Sequence, residues 1–151
     1  MKEGVFIMAK IKTRVHYVSP KGCAEIIAEV IAREAGAVKE ALPPAYLPEG
    51  IALMFLGCEG VKADKITMEF LKAMNSKRVA VAALFNCNLK GSDAALSQVR
   101  ETLIACGVKV LDKTFISNSG KGFFSGKMPS EEDKKAAAEW AKACIAEVAG
   151  E

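Results

Sequence analysis

A chain of 151 residues, 51% hydrophobic and 26% charged, is long enough to bury one full core, and residues 1–151 are read as a single domain. No apolar run approaches the roughly 18 residues of a membrane span, and the N-terminus has no signal-type apolar stretch, so a cytoplasmic protein without membrane insertion is expected. The net charge of +3 is too small and too dispersed for a nucleic-acid footprint.

Five cysteines and one histidine bound the chemistry further. An odd thiol count without small-scaffold spacing predicts free thiols, not a disulfide framework. There is no CxxC pair, so a zinc site of ordinary type is not expected. His16 alone cannot support a His-dependent triad. It falls inside a strand pattern, where a structural or surface role is the expectation.

Residues 1–8 precede the first strand. Met8-Ala9-Lys10 reads as a natural start, and Lys2-Glu3-Gly4 suits a purine-rich run of ribosome-binding type. Met8 is the expected start; the alternative is that Val5, Phe6 and Ile7 lengthen the first strand. Residues 11–18 form that strand, and Ser19-Pro20-Lys21-Gly22 a tight turn. A helix over 23–35 follows, with Ile27, Ile31 and Ala35 on one stripe and Gly36 as its C-cap. Residues 37–42 are a weak edge strand, and 43–50 a proline-rich connection.

Residues 51–56 are apolar throughout, as in a strand buried on both faces. Gly57-Cys58-Glu59-Gly60 is expected to end it. A helix over 63–74 carries Ile66, Phe70 and Met74 in register. Residues 78–85 form the next buried strand, and 86–91 a loop. Ser92 is expected to cap a helix striped by Leu96, Val99, Leu103 and Cys106 and closed by Gly107. Residues 108–117 are the last strand. The glycine-rich stretch 118–128 carries Phe123-Phe124, a hairpin contact or an exposed patch for a partner. Ser130-x-x-Asp133 has the form of a capping box. The final helix runs to about Val148, with Ala137, Trp140, Cys144 and Val148 inward. No internal repeat or low-complexity segment interrupts this order.

Strands alternating with helices predict a parallel sheet covered on both faces. The first turn adds a motif. Tyr17, Ser19, Gly22, Glu25, Ala28 and Ile31 fall where flavodoxins place a strand, a Ser/Thr-x-Thr-Gly-x-Thr loop and a helix. The chain resembles a short flavodoxin with an altered phosphate loop. Lys21, Cys23 and Ala24 stand where that family offers hydroxyl or amide groups to a phosphate. The resemblance implies a three-layer α/β/α sandwich around a five-stranded parallel sheet in the order 2-1-3-4-5. In that arrangement the ligand site lies at the switch between the first and third strands.

The resemblance further implies non-covalent flavin mononucleotide (FMN). Ser19, Pro20, Lys21, Gly22, Cys23 and Ala24 would hold the phosphate. Gly57, Cys58, Glu59 and Gly60, with Phe85, Asn86, Cys87, Asn88 and Gly91, would flank the isoalloxazine ring. Phe123 or Phe124 could fold over it. Lys21 is either a solvated turn lysine or a point charge facing the phosphate.

Cys23, Cys58 and Cys87 each follow a strand, as small apolar fillers or as thiols near the flavin. Cys23, at a helix N-terminus, is expected to be the most reactive. No side chain reads as an obligatory acid or base, so no catalytic residue is expected. The reading is an electron carrier, a monomer or weak dimer, serving redox partner proteins of unknown identity. Many flavodoxins are acidic, and the charge of +3 departs from that. The alternatives are a small FMN-dependent reductase of the NAD(P)H or quinone type, and a flavin-free interaction module.

Overall fold

The computed structural model of the chain describes residues 11–121 and 126–150. The expected start at Met8, the alternative strand extension through Val5–Ile7, and the Phe123-Phe124 pair lie outside these residues. Strand β1 (Thr13–Tyr17) leads through the Ser19–Gly22 turn into helix α1 (Cys23–Ala35). The turn works because Gly22 adopts φ 89°, and Gly36 ends the helix at φ 63°. Both are left-handed conformations that cost side-chain-bearing residues dearly. The helix buries Ile27, Ala28 and Ile31 completely, each isoleucine contributing about 1.5–3 kcal/mol by leaving water.

Strand β2 (Lys39–Ala41) is the short edge. Strands β3 (Ile51–Glu59) and β4 (Val79–Cys87) form the centre, separated by helix α2 (Lys65–Leu71). Helix α3 (Ala94–Ala105), strands β5 (Lys109–Val110) and β6 (Phe115–Ser117), the antiparallel pair β7 (Gly120–Lys121) and β8 (Gly126–Lys127), and helix α4 (Glu131–Ala149) follow. The main sheet is parallel, in the order β2-β1-β3-β4-β5, with β6 also pairing β4. This is the expected order, with the fifth strand in two pieces. In the gap, the Arg100 guanidinium donates to the Leu111 and Asp112 carbonyls at 2.8 and 3.0 Å, satisfying acceptors that a continuous strand would pair.

Helices α1 and α4 cover one face, over Val15, Leu53, Phe55 and Phe85. Helices α2 and α3 cover the other, over Met54, Leu56, Ala82 and Leu84. The result is three layers around strands apolar on both sides. Trp140 of α4 lies on the expected inward stripe but is only half-buried. Its ring meets Phe55, Phe85 and Phe115 at centroid distances of 5.5, 6.4 and 6.0 Å, and its indole N–H donates to the Lys113 carbonyl.

Element ends depart from the sequence pattern where a side chain takes over a backbone bond. Helix α2 begins at Lys65, not at 63, because Asp64 caps it and accepts the Thr67 N–H at 2.8 Å. Asp93 is the α3 N-cap, and the Ser92 hydroxyl accepts the Ala94 N–H from one residue earlier. Cys106, expected on the buried stripe, is the half-buried C-cap of that helix. The Ser130–Asp133 capping box forms in both directions, and Asp133 also accepts the Ser117 hydroxyl at 3.0 Å. That bond ties the start of α4 to the end of β6.

Candidate functional site

The carboxyl ends of β1, β3 and β4 carry the site, and two of these strands run further than the sequence pattern predicts. Gly57-Cys58-Glu59 and Asn86-Cys87 look like turn formers. Yet Gly57 pairs with Phe85, Cys58 with Asn86, and Glu59 with Cys87. β6 extends the ladder through Ile116 and Ser117. Gly57 is therefore strand, not loop. It is glycine because the Phe85 ring lies over it: a Cβ there would stand 2.2 Å from two ring carbons. Phe85, expected beside the ring of a ligand, is wholly buried beneath the site instead.

Residues alternate across a strand, so Phe55, Gly57 and Glu59 share the face that α1 covers. The register Tyr17↔Gly57 sets Glu59 level with Ser19. The Glu59 carboxylate consequently reaches the first loop. One oxygen accepts the Ser19 hydroxyl at 2.5 Å and the Ala24 N–H at 2.8 Å, and the other accepts the Lys21 N–H at 2.9 Å. The Ser19 oxygen in turn accepts the Glu25 N–H at 2.9 Å. The Ala24 and Glu25 N–H groups are orphan donors of the helix start, at its positive dipole end, and the Lys21 N–H lies in the turn just before the Gly22 N-cap. The donor set is that of an anion site: two backbone amides and a hydroxyl converging on one carboxylate. The Lys21 side chain itself is exposed.

Beside this cradle lies an open cleft of about 330 Å³, lined by Pro20, Lys21, Glu59, Gly60, Val61, Cys87, Asn88, Leu89, Lys90 and Gly120. Its apolar surface comes from Pro20, Val61 and Leu89, the last two 44% and 43% exposed. Among the described residues it has no aromatic wall. The loop after β4 is held by Asn88, whose side-chain oxygen accepts the Lys90 and Ser92 N–H groups at 3.1 and 2.9 Å. The Asn88 amide donates to Asn86 Oδ1 and to the Ser92 carbonyl, and the Asn86 amide donates to Cys58 Sγ. Gly60 donates its N–H to the Cys87 carbonyl, and Gly91 sits at φ 66° against Asn118.

The residues read from the sequence therefore divide. Ser19, Pro20, Lys21, Gly22, Ala24, Glu59, Gly60 and Asn88 lie around the cradle and cleft. Gly57, Phe85 and Asn86 lie beneath them. Sequence reasoning brought the loops 57–61 and 86–91 to this edge without singling out Val61, Leu89 or Lys90, missed Gly120, and set Glu59 beside a ring instead of in the first loop. The alternation Phe55-Gly57-Glu59 carried the signal for Glu59.

The thiols also divide. Cys23 and Cys87 belong to the α1–α4 side of the core and Cys58 to the opposite side. Cys23 was expected to be reactive, but it is wholly buried, with its Sγ 3.8 Å from the Lys127 carbonyl and 3.7 Å from Met128 Sδ. Burial pushes the Cys58 thiol up to about 11 and the Cys87 thiol up to about 12, against partial relief from Asn86 and Ser119 respectively. No disulfide joins any of the five cysteines. His16 is buried on β1: Nδ1 lies 3.2 Å from the Glu40 carbonyl, and Nε2 has no hydrogen-bond partner among the described residues. Two other surface grooves, along the flank of α1 and between the proline-rich connection and α2, do not gather the strand ends. No described helix is long and apolar enough to cross a membrane.

No family model and no curated protein sequence matches the chain. Solved structures do. It is similar to an archaeal flavodoxin at 16% identity and a TM-score of 0.73, over 93% of this chain and 100% of that one. It is similar to oxidised flavodoxin 2 from Bacillus cereus at 18% identity and 0.65, over 90% and 98%. A diflavin flavoprotein A3 from a Nostoc species aligns at 13% identity and 0.60, over 91% and 94%. The fold is flavodoxin-like.

Proposed function

We propose, from this fold and the edge it builds, that the protein is a cytoplasmic electron carrier that holds FMN non-covalently at the carboxyl ends of β1, β3 and β4. The observation that carries the reading is the adjacency of an anion cradle to a cleft with apolar surface, at the topological switch between β1 and β3. That is where open α/β sheets take their ligands. In this reading the Lys21 and Ala24 N–H groups and the Ser19 hydroxyl hold the phosphate, with Lys21 adding an exposed point charge. Pro20, Val61 and Leu89 supply apolar surface for the isoalloxazine, and Asn88 fixes the loop beside it.

The bound flavin supplies the one- and two-electron redox chemistry. This chain's part is to bind, orient and exclude water. A redox partner protein would meet the same edge, with Lys21 and Lys90 at the rim favouring an acidic face. Five cysteines without a disulfide fit a reducing compartment.

The test is the absorbance spectrum of protein purified from its native source, followed by fluorescence titration of the apoprotein with FMN. Flavin bands and saturable quenching are expected. A colourless protein that quenches neither FMN nor riboflavin would refute the reading.

A further inference from the structure

We propose that Glu59 is an internal competitor for the phosphate, and that it sets how much affinity a flavin gains by carrying one. The proposal deepens the flavin reading above and rests on it for its ligand. The Glu59 carboxylate already uses the three donors that a phosphate would need: the Ser19 hydroxyl at 2.5 Å, the Ala24 N–H at 2.8 Å and the Lys21 N–H at 2.9 Å. These contacts are short and charge-assisted, the strong class of hydrogen bond. They sit at the end of α1, where the dipole favours one negative charge.

The occupancy is built into the fold. Glu59 is the last residue of β3 and pairs with Cys87 on β4. Its backbone is thereby fixed one side-chain length from the loop. Three donors cannot serve two anions at once, and two like charges at hydrogen-bonding range disfavour one another. A phosphate must therefore displace the carboxylate. The exit is present, because Glu59 is half-buried and lines the cleft. The gain from phosphate contacts is then offset by the contacts Glu59 gives up. A ligand without the phosphate leaves Glu59 where it is and incurs no such loss.

The ratio of FMN to riboflavin affinity reads this directly. Wild type should favour FMN only slightly. In Glu59→Ala the donors are released and the charge is gone, so the ratio should rise roughly tenfold or more, since hydrogen bonds to charged groups are the costly ones to exchange. Glu59→Gln removes the charge and keeps an acceptor oxygen, so its ratio should lie between the two.

The experiment titrates wild type, Glu59→Ala and Glu59→Gln with both flavins by fluorescence, with circular dichroism as a check on folding. In parallel, inorganic phosphate is titrated while the Lys21 and Ala24 amide resonances are followed by NMR. A raised FMN:riboflavin ratio, with phosphate shifting both amides at lower concentration in Glu59→Ala, supports the proposal. An unchanged or lowered ratio overturns it. If neither flavin binds any of the three proteins, the flavin reading fails, and the phosphate arm still decides on Glu59: tighter phosphate in the variant supports competition, and equal or weaker phosphate overturns it. If Glu59→Ala does not fold, Glu59→Gln is judged by the same two criteria.

Discussion

Replacing Gly57 with alanine tests whether the floor of the site is as tight as its geometry requires. The added methyl would lie 2.2 Å from Phe85 Cε2 and Cζ and 2.6 Å from Cδ2. Carbon atoms prefer roughly 3.5–4.0 Å, so more than an ångström must be found. Phe85 cannot supply it cheaply, being wholly buried with its ring against Trp140. Nor can β3, which is paired on both sides by β1 and β4. Overpacking costs about 1–3 kcal/mol, and a clash with an immobile ring belongs at the upper end. Against it stands the entropy alanine saves in a strand, roughly 0.5–1 kcal/mol. The net loss is then about 2 kcal/mol, or a fall in Tm of roughly 4–8 °C for a chain this long. Differential scanning calorimetry reads it. Phe85→Leu in the same chain should recover part of the loss, so that the double variant is less destabilised than the two singles predict, by about 1 kcal/mol. A Gly57→Ala protein that melts with wild type, or strictly additive effects, would refute the packing argument.

Gly22→Val should abolish FMN binding while the chain still folds, because φ 89° disfavours a side chain by roughly 1–2 kcal/mol, whereas the nearest neighbour of a Cβ there is Met128 Cε at 3.9 Å; unchanged affinity in a fluorescence titration would remove the loop from the site. Burial holds the His16 imidazole below its ordinary 6.5; Arg14 adds to this, and the Glu40 carbonyl and carboxylate oppose it. Unfolded His16 therefore takes up a proton that the folded one refuses, and stability is lost as pH falls below 6.5, by at most about 1.4 kcal/mol per pH unit. His16→Gln should flatten the Tm–pH curve between pH 7 and 5, and parallel curves would acquit His16. Among the thiols, half-buried Cys106 should alkylate first. Cys23 is wholly buried, and burial raises the Cys58 thiol to about 11 and the Cys87 and Cys144 thiols to about 12. Peptide mass after timed alkylation would expose the error if any of these four outpaced Cys106.

The fold was legible because its signals are repetitive. Continuous apolar runs at 51–56 and 79–85, periodic helices between them and glycine stops each recur along the chain, and each agrees with the sheet order observed. The site was less legible because it depends on register. Composition at 57–59 and 86–87 suggests turns, and only the pairing with β6 explains why the strands continue. That extension by two or three residues moves Glu59 from a loop flank into the first loop. Cys23 shows the same limit. A cysteine at a helix start has the local pattern of a reactive thiol, and only tertiary packing under Lys127 and Met128 reveals that it faces the core.

The two sides of the edge are built differently, and the difference bears on what the site can do. The loop after β4 rests on a chain of buried polar groups. The Asn88 amide donates to Asn86 at 2.7 Å, and the Asn86 amide to Cys58 at 3.2 Å. The Asn88 backbone N–H donates to the Ser117 carbonyl, and the Ser117 hydroxyl donates to Asp133. Breaking one member leaves the next buried and unpaired, at about 1–3 kcal/mol each, so this wall is fixed. The loop after β1 is closed instead by one half-buried carboxylate from a neighbouring strand. It lines the cleft, and an anion in its place would take up the Ser19, Lys21 and Ala24 donors that it leaves. A preorganised wall lowers the reorganisation that accompanies charge movement. A displaceable carboxylate lets the same edge respond to an anion. The geometry thus assigns rigidity to the side that would flank the ring and exchange to the side that would hold the phosphate.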